Sequence, residues 1–129
     1  MSKQNHGKNQ LGHFRRFGPA AINSWKGAKA AYKYEVAFRQ ELFLFLVLTP
    51  VAFVISDGFV DFAILVGAIF GIIIAELLNS AVEAVVDRVG LEHHELSGRA
   101  KDLGSAAVAV AIGYFLLVWG YKLYLLFLA

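Results

Sequence analysis

Between Glu76 and Asp87 the chain reads E-L-L-N-S-A-V-E-A-V-V-D, directly after an uninterrupted apolar run from Phe62 to Ala75. At ~100° per residue for a helix, Glu76, Asn79, Ser80, Glu83 and Asp87 fall within an arc of roughly 100°, while Ala81, Val82, Val85 and Val86 lie elsewhere. One face of one helix therefore carries every polar group of the segment. Acids that continue a membrane-length apolar helix are costly and point to chemistry. With a rise of about 1.5 Å per residue, Glu76 and Glu83 stand ~10 Å apart along the axis, too far to chelate one metal by themselves. Glu83 thus needs a carboxylate from another segment, and Glu35, at the start of the first long apolar stretch, offers one at matching depth. Such a pair suits Mg²⁺, which takes one or two carboxylates together with phosphates and water. Glu76, with no cation near it in sequence, is left to serve as a general base.

Complementary charge follows. Gly90 reads as a helix terminator, and L-E-H-H-E-L-S-G-R-A-K-D, Leu91 to Asp102, leads into a further apolar stretch. Lys101 and Asp102 stand where that stretch begins, in position to meet phosphates at a membrane surface. His93 and His94 with the neighbouring glutamates resemble a zinc set only superficially: adjacent histidines rarely face one metal, and no second ligand pair has supporting spacing. The only Gly-Lys step, Gly7-Lys8, is followed by Asn9, so there is no Walker A loop. Neither a GxGxxG nor a protein-kinase signature occurs. The absence of cysteine excludes disulfides, thiolate metal sites and a cysteine nucleophile.

The elements that must position these groups are membrane elements. A chain 58% hydrophobic and only 17% charged, with mean hydropathy +0.59, exceeds the apolar share of an ordinary soluble domain. Val36 to Ile55, Phe59 to Leu78 and Leu103 to Tyr121 each meet the requirement of about 20 mostly apolar residues. The expected fold is an all-α membrane protein with three transmembrane helices, at about 36–55, 59–86 and 103–127, within a domain of residues 35–129. Residues 1–13, polar and aperiodic, are expected to be disordered, and with no signal-peptide core near the start, the first span is expected to direct insertion. In residues 14–34, Phe14, Phe17, Ala21, Trp25, Ala28 and Tyr32 line one stripe, with Arg15, Lys26, Lys29 and Lys33 projecting about a quarter-turn away. That is an amphipathic helix for the membrane interface, its main part opened by Pro19. Packing on protein is the competing reading.

Of the 12 Lys and Arg, Lys3, Lys8, Arg15, Arg16, Lys26, Lys29, Lys33 and Arg39 precede the apolar part of the first span. Arg88, Arg99 and Lys101 lie between the second and third, and Ser56 to Asp61 has none. The positive-inside rule puts the N-terminus and the second loop in the cytoplasm, and Lys122, near the outer end of the third span, is expected to snorkel. Gly67, Gly71 and Ala75, and likewise Ser105, Ala109 and Gly113, form ridges of small residues that permit close helix contact in lipid. Three helices are few to enclose five polar groups, so an oligomer with sites between subunits is expected.

E-L-L-N-S-A-V-E-A-V-V-D-R-V-G, followed by H-E-L-S-G-R-A-K-D-L-G-S-A-A-V, closely resembles the signature of the small prokaryotic diacylglycerol kinase family. S-W-K-G-A-K-A-A and E-V-A-F-R-Q-E resemble its N-terminal half, so the likeness runs from about Phe14 to the end. Phe38 to Glu41 and S-G-R-A-K-D look like the proteobacterial diacylglycerol branch; the undecaprenol kinase branch shares the acid helix and is the alternative. The resemblance implies a homotrimer of the bacterial inner membrane with shared sites, a surface helix and three spans per subunit. It also implies transfer of the ATP γ-phosphoryl group to diacylglycerol with Mg²⁺, among membrane lipids and without nucleic acid. By matching motif positions it implies Glu76 as catalytic base, Glu35 and Glu83 as metal carboxylates, and Asn79 as a polar contact near the transferring phosphate. Lys101 and Asp102 match the nucleotide-binding Lys-Asp, and Glu92, His93 and His94 the loop along the nucleotide, where His93 replaces a frequent aromatic. Arg16, Ser24, Trp25, Lys29, Gln40, Glu41 and Ser105 match positions near the lipid. A proton-coupled exporter, the reading from a different class, accounts for Glu76 but not for Glu83, Asp87 and the Lys101-Asp102 step.

Overall fold

The computed structural model describes the backbone of residues 7–128 and the side chains of residues 18–128. Its four elements are all helices: α1 (Gly7–Tyr34), α2 (Val36–Ile55), α3 (Phe59–Val89) and α4 (Glu95–Phe127). They fall into two units, one ending at Tyr34 and the other beginning at Glu35.

In the first unit, α1 starts earlier than the stripe of apolar residues required. Residues 7–13 are helical rather than disordered, and Pro19 lies inside the helix rather than opening it. Once a helix is nucleated, extension costs little, and the polar residues ahead of Phe14 include no proline to stop it. Residues 1–6 of the expected tail lie outside the described residues. Trp25 and Tyr32 are exposed along α1, and the Lys29 ammonium sits over the Trp25 ring, 5.3 Å from its centre.

In the second unit, α2, α3 and α4 are each long and apolar enough to cross a membrane. α3 packs against both of the others. Ala52 of α2, Leu65, Val66, Ala68 and Ile69 of α3, and Trp119 of α4 make a buried cluster. The Trp119 indole N–H, unable to find water there, donates to the Leu65 carbonyl at 3.0 Å. Phe45 and Phe70 meet between α2 and α3 with ring centres 5.0 Å apart and planes tilted by 44°. The two small-residue ridges do not supply these contacts: a side chain added at Gly67, Gly71 or Gly113 would meet nothing within 4 Å.

Helix ends extend beyond the apolar windows. α3 continues to Val89, where the Gly90 N–H bonds the Val86 carbonyl at 3.3 Å. α4 begins at Glu95, two turns ahead of Leu103, because extended His94 caps it: its Nδ1 accepts from the Leu96 N–H at 3.2 Å. At 31 residues α3 is about 46 Å long, against about 30 Å of hydrocarbon in a bilayer. The helix therefore outruns the slab by several turns; its uninterrupted apolar run ends at Ala75, and Glu76, Glu83 and Asp87 follow that run.

At the other end of the unit, Lys122 does not snorkel. Its ammonium lies 2.6 Å from Asp57 and 2.6 Å from Asp61, with only 6% of the side chain exposed. Two carboxylates at one helix start draw the cation inward, since a charge beside two acids gains more than one reaching for water through lipid.

Candidate functional site

The polar face of α3 meets two different neighbours. α2 and α3 are joined by the short 56–58 turn and run in opposite directions, so residues whose numbers add to nearly the same sum share a depth. Phe45 faces Phe70 and Phe53 faces Phe62, a register that sets Glu41 within one turn of Glu76 and Glu35 between Glu76 and Glu83 in depth. The Glu76 carboxylate is close enough to those of Glu83 and Glu35 to feel their charges, and Glu41 feels that of Glu76. The carboxylates of Glu35, Glu41 and Glu83 thus all lie within electrostatic reach of Glu76.

Glu35 immediately precedes α2 in extended conformation and makes no capping bond with its side chain, so its carboxylate is not committed to its own helix. Glu41 is half-buried, and one of its oxygens, Oε2, is enclosed without a hydrogen-bond partner. The resemblance put Glu41 near the lipid; the structure adds that it stands against the proposed base. The signal for this was available, because the six-residue interval Glu35–Glu41 nearly matches the seven-residue interval Glu76–Glu83 in reverse.

Asn79 is buried between the acids. Its Nδ2 donates to Glu83 Oε1 at 3.0 Å, which orients the Glu83 carboxylate and leaves its second oxygen for another ligand. Among the described residues no three His, Cys, Asp or Glu side chains are gathered closely enough to hold a metal alone. Two carboxylates without a third are nonetheless the donor set that fits Mg²⁺, a hard cation that completes its shell with water and phosphate oxygens. Glu35, without a capping bond, and the second oxygen of Glu83 are donors of that type.

On the α4 side, Lys101 reaches toward α3. Its Nζ lies 2.6 Å from Asp87 Oδ1 and within electrostatic range of Glu83. Asp87 belongs to the polar face but had no role in sequence; its spacing alone does not reveal which cation it meets. Lys101 and Asp87 line one wall of a cleft of about 260 Å³ whose rim carries Glu92, His93, His94, Ser97 and Gly98. Glu92, His93 and His94 are themselves exposed.

Other expected residues are not brought to the acids within one chain. Asp102 and Ser105 are exposed on α4, about 100° and 40° of helical rotation from Lys101, and Gln40 is exposed on α2. Ser24, Trp25 and Lys29 are exposed on α1, where the Ser24 hydroxyl donates to the Ala20 carbonyl at 3.0 Å. The Arg16 side chain lies outside the described residues.

A helical membrane protein with carboxylates where an apolar run ends and a lysine-lined cleft further along the same helix is equipped for transfer chemistry between a lipid and a charged, water-borne group. The chain belongs to the prokaryotic diacylglycerol kinase family, whose profile matches residues 22–123. It is 48% identical over 103 residues to the diacylglycerol kinase of Haemophilus influenzae, covering 77% of this chain and 87% of that one. It is 47% identical over 106 residues to the diacylglycerol kinase of Escherichia coli K12, covering 82% and 87%. With the diacylglycerol kinase of Pseudomonas aeruginosa PAO1 it shares 45% identity over 112 residues, covering 87% and 90%.

Proposed function

We propose that the protein is a lipid kinase that transfers the γ-phosphoryl group of ATP directly to the hydroxyl of diacylglycerol, giving phosphatidic acid. The observation that carries this reading is the division of the α3 face by depth. Glu76 directly follows the apolar run, the depth we assign to a glycerol hydroxyl, while Glu83 and the Lys101–Asp87 pair stand further along, the depth we assign to the phosphates. In the transfer, the bond between the γ-phosphorus and the β,γ-bridging oxygen breaks as the diacylglycerol oxygen bonds to phosphorus. Glu76 takes the hydroxyl proton, and ADP leaves. Glu35 and Glu83 would hold Mg²⁺, which neutralises charge on the phosphates when bound. Lys101 contributes a further positive charge, with Asp102 beside it, and Glu92, His93 and His94 border the nucleotide. Asn79 fixes Glu83. Phosphoryl transfer needs position and electrostatics more than covalent assistance, so this sparse set suffices.

The reading extends to residues that one chain leaves apart. Arg16, Ser24, Trp25, Lys29, Gln40, Glu41 and Ser105 are proposed to meet the lipid, with α1 in the membrane interface. The outward positions of Asp102, Ser105 and Gln40 support sites completed by neighbouring subunits of a homotrimer. The excess of Lys and Arg before the first span supports a bacterial inner-membrane protein with its N-terminus in the cytoplasm.

Purified protein incubated with γ-labelled ATP and either diacylglycerol or undecaprenol tests the assignment. Label is expected on diacylglycerol; label on undecaprenol instead would move the protein to that branch, and label on neither would reopen the exporter reading. Replacing Glu76 with Gln should reduce transfer by about 10²-fold to 10⁴-fold while leaving the protein folded. Near-normal turnover of that variant would remove Glu76 as the base.

A further inference from the structure

Asn79 touches more than Glu83. On its other side it faces Gly104 of α4, and a methyl group built on Gly104 would lie inside van der Waals contact with Asn79 Oδ1, 3.2 Å from its Cγ and 3.6 Å from its Cα. Among the glycines whose surroundings are described, Gly104 is the one whose added methyl would meet anything within 4 Å. The three atoms nearest the missing side chain at 104 all belong to Asn79.

This contact decides which way the amide faces. Asn79 is 9% exposed, and its Oδ1 is enclosed without a hydrogen-bond partner, while Nδ2 bonds Glu83 Oε1. Reversing the amide would aim its oxygen at a carboxylate oxygen, acceptor against acceptor. Moving it away from Gly104 would draw Nδ2 off Glu83. The α4 backbone at Gly104 and the Glu83 carboxylate thus hold the amide between them.

We propose that Gly104 is a positioning residue of the phosphoryl-transfer site: by lacking a side chain, it lets α4 close on Asn79 and so holds the Glu83 carboxylate in place for a divalent cation. This rests on the reading of Glu83 as a metal carboxylate. Alanine is a better helix former than glycine, so with room available Gly104→Ala would be harmless or stabilising. Here the added methyl displaces Asn79 and frees Glu83.

The test is a double-mutant cycle in the full-length protein, with Gly104→Ala, Asn79→Ala and the two combined. Two quantities are read, kcat/KM for Mg·ATP and the rise in unfolding temperature that Mg·ATP produces. Each single change is expected to lower kcat/KM by about tenfold or more and to diminish the thermal shift. In the combined variant, Gly104→Ala should add almost nothing to Asn79→Ala, because the methyl no longer has an amide to displace. The combined variant also relieves the clash, so a failure of Gly104→Ala to fold while the combination folds supports the same contact. Full activity and thermal shift in Gly104→Ala beside an impaired Asn79→Ala would overturn the role of Gly104 and leave the site reading intact, as would multiplicative losses in the combination. Wild-type behaviour of Asn79→Ala would instead overturn the site reading itself, and the proposal with it.

Discussion

Lys101 and Lys122 belong to the same helix and both reach to acids of α3 or the turn before it, yet they occupy opposite circumstances. Lys122 has two carboxylates at 2.6 Å, and 6% of its side chain is exposed. One of those acids, Asp61, also accepts from the Asp57 backbone N–H at 3.0 Å, so the turn and both helices are tied at one point. Lys101 has one hydrogen-bonded carboxylate, and the pair is 42% and 50% exposed. A cation shielded from water is expensive to strip of its counter-charges; an exposed pair contributes little. The first geometry fastens α4 to the 56–58 turn. The second holds a cation loosely beside a cleft; on the proposed reading, a triphosphate offering more negative charge than one carboxylate would take it over.

The largest expected effect follows from that contrast. Lys101→Met should lower kcat/KM for Mg·ATP by about 10²-fold or more with the unfolding temperature hardly changed. Calorimetric or dye-monitored unfolding beside the kinase assay reads both. A large loss of stability with retained turnover would place Lys101 with the fasteners and break the comparison.

The opposite end should answer in stability. Replacing Asp57 and Asp61 together by Asn leaves the Lys122 ammonium enclosed without a counter-charge, whereas Lys122→Met leaves acids of which Asp57 is 89% exposed and can be solvated. The Asp pair is therefore expected to lower the unfolding temperature by more than Lys122→Met, with turnover per folded protein retained in both. Thermal unfolding in one detergent orders the variants. Equal losses would mean that Lys122 contributes packing rather than charge.

These two lysines also mark where sequence reading succeeds and where it stops. Three long helices were legible because an apolar run in lipid has few alternatives, and the acid row stood out because polar residues interrupt such a run on one face only. Lys101 was expected to meet phosphates by its place at the start of an apolar stretch; the structure sets it against Asp87 at the lining of a cleft. Lys122 was misread as snorkelling, because hydropathy records its depth but not Asp57 and Asp61 across the turn. Glu41 was placed near the lipid by resemblance; what sequence alone did not bring out is that it also stands within electrostatic reach of Glu76. Gly104 carries no signal of its own in sequence, since its significance is the space it leaves for Asn79. The early start of α1 was missed for a different reason: a polar stretch lacking apolar periodicity still continues a helix when nothing breaks it.

The smallest effect concerns Asp87, and its sign is the sharper measure of the comparison. If Asp87 only holds Lys101 until a nucleotide arrives, Asp87→Asn removes a competitor for the ammonium and one negative charge facing the triphosphate. Both changes favour nucleotide binding. KM for Mg·ATP should fall, by up to about fivefold given the modest worth of an exposed pair, while kcat stays near its original value. The effect should shrink as salt is raised, because these are exposed charges. Steady-state kinetics at two ionic strengths separates the outcomes. A rise in KM would mean that Asp87 aims Lys101 at the phosphates or contacts the nucleotide itself, and the loosely held cation would then be as deliberately fixed as the one at the other end of α4.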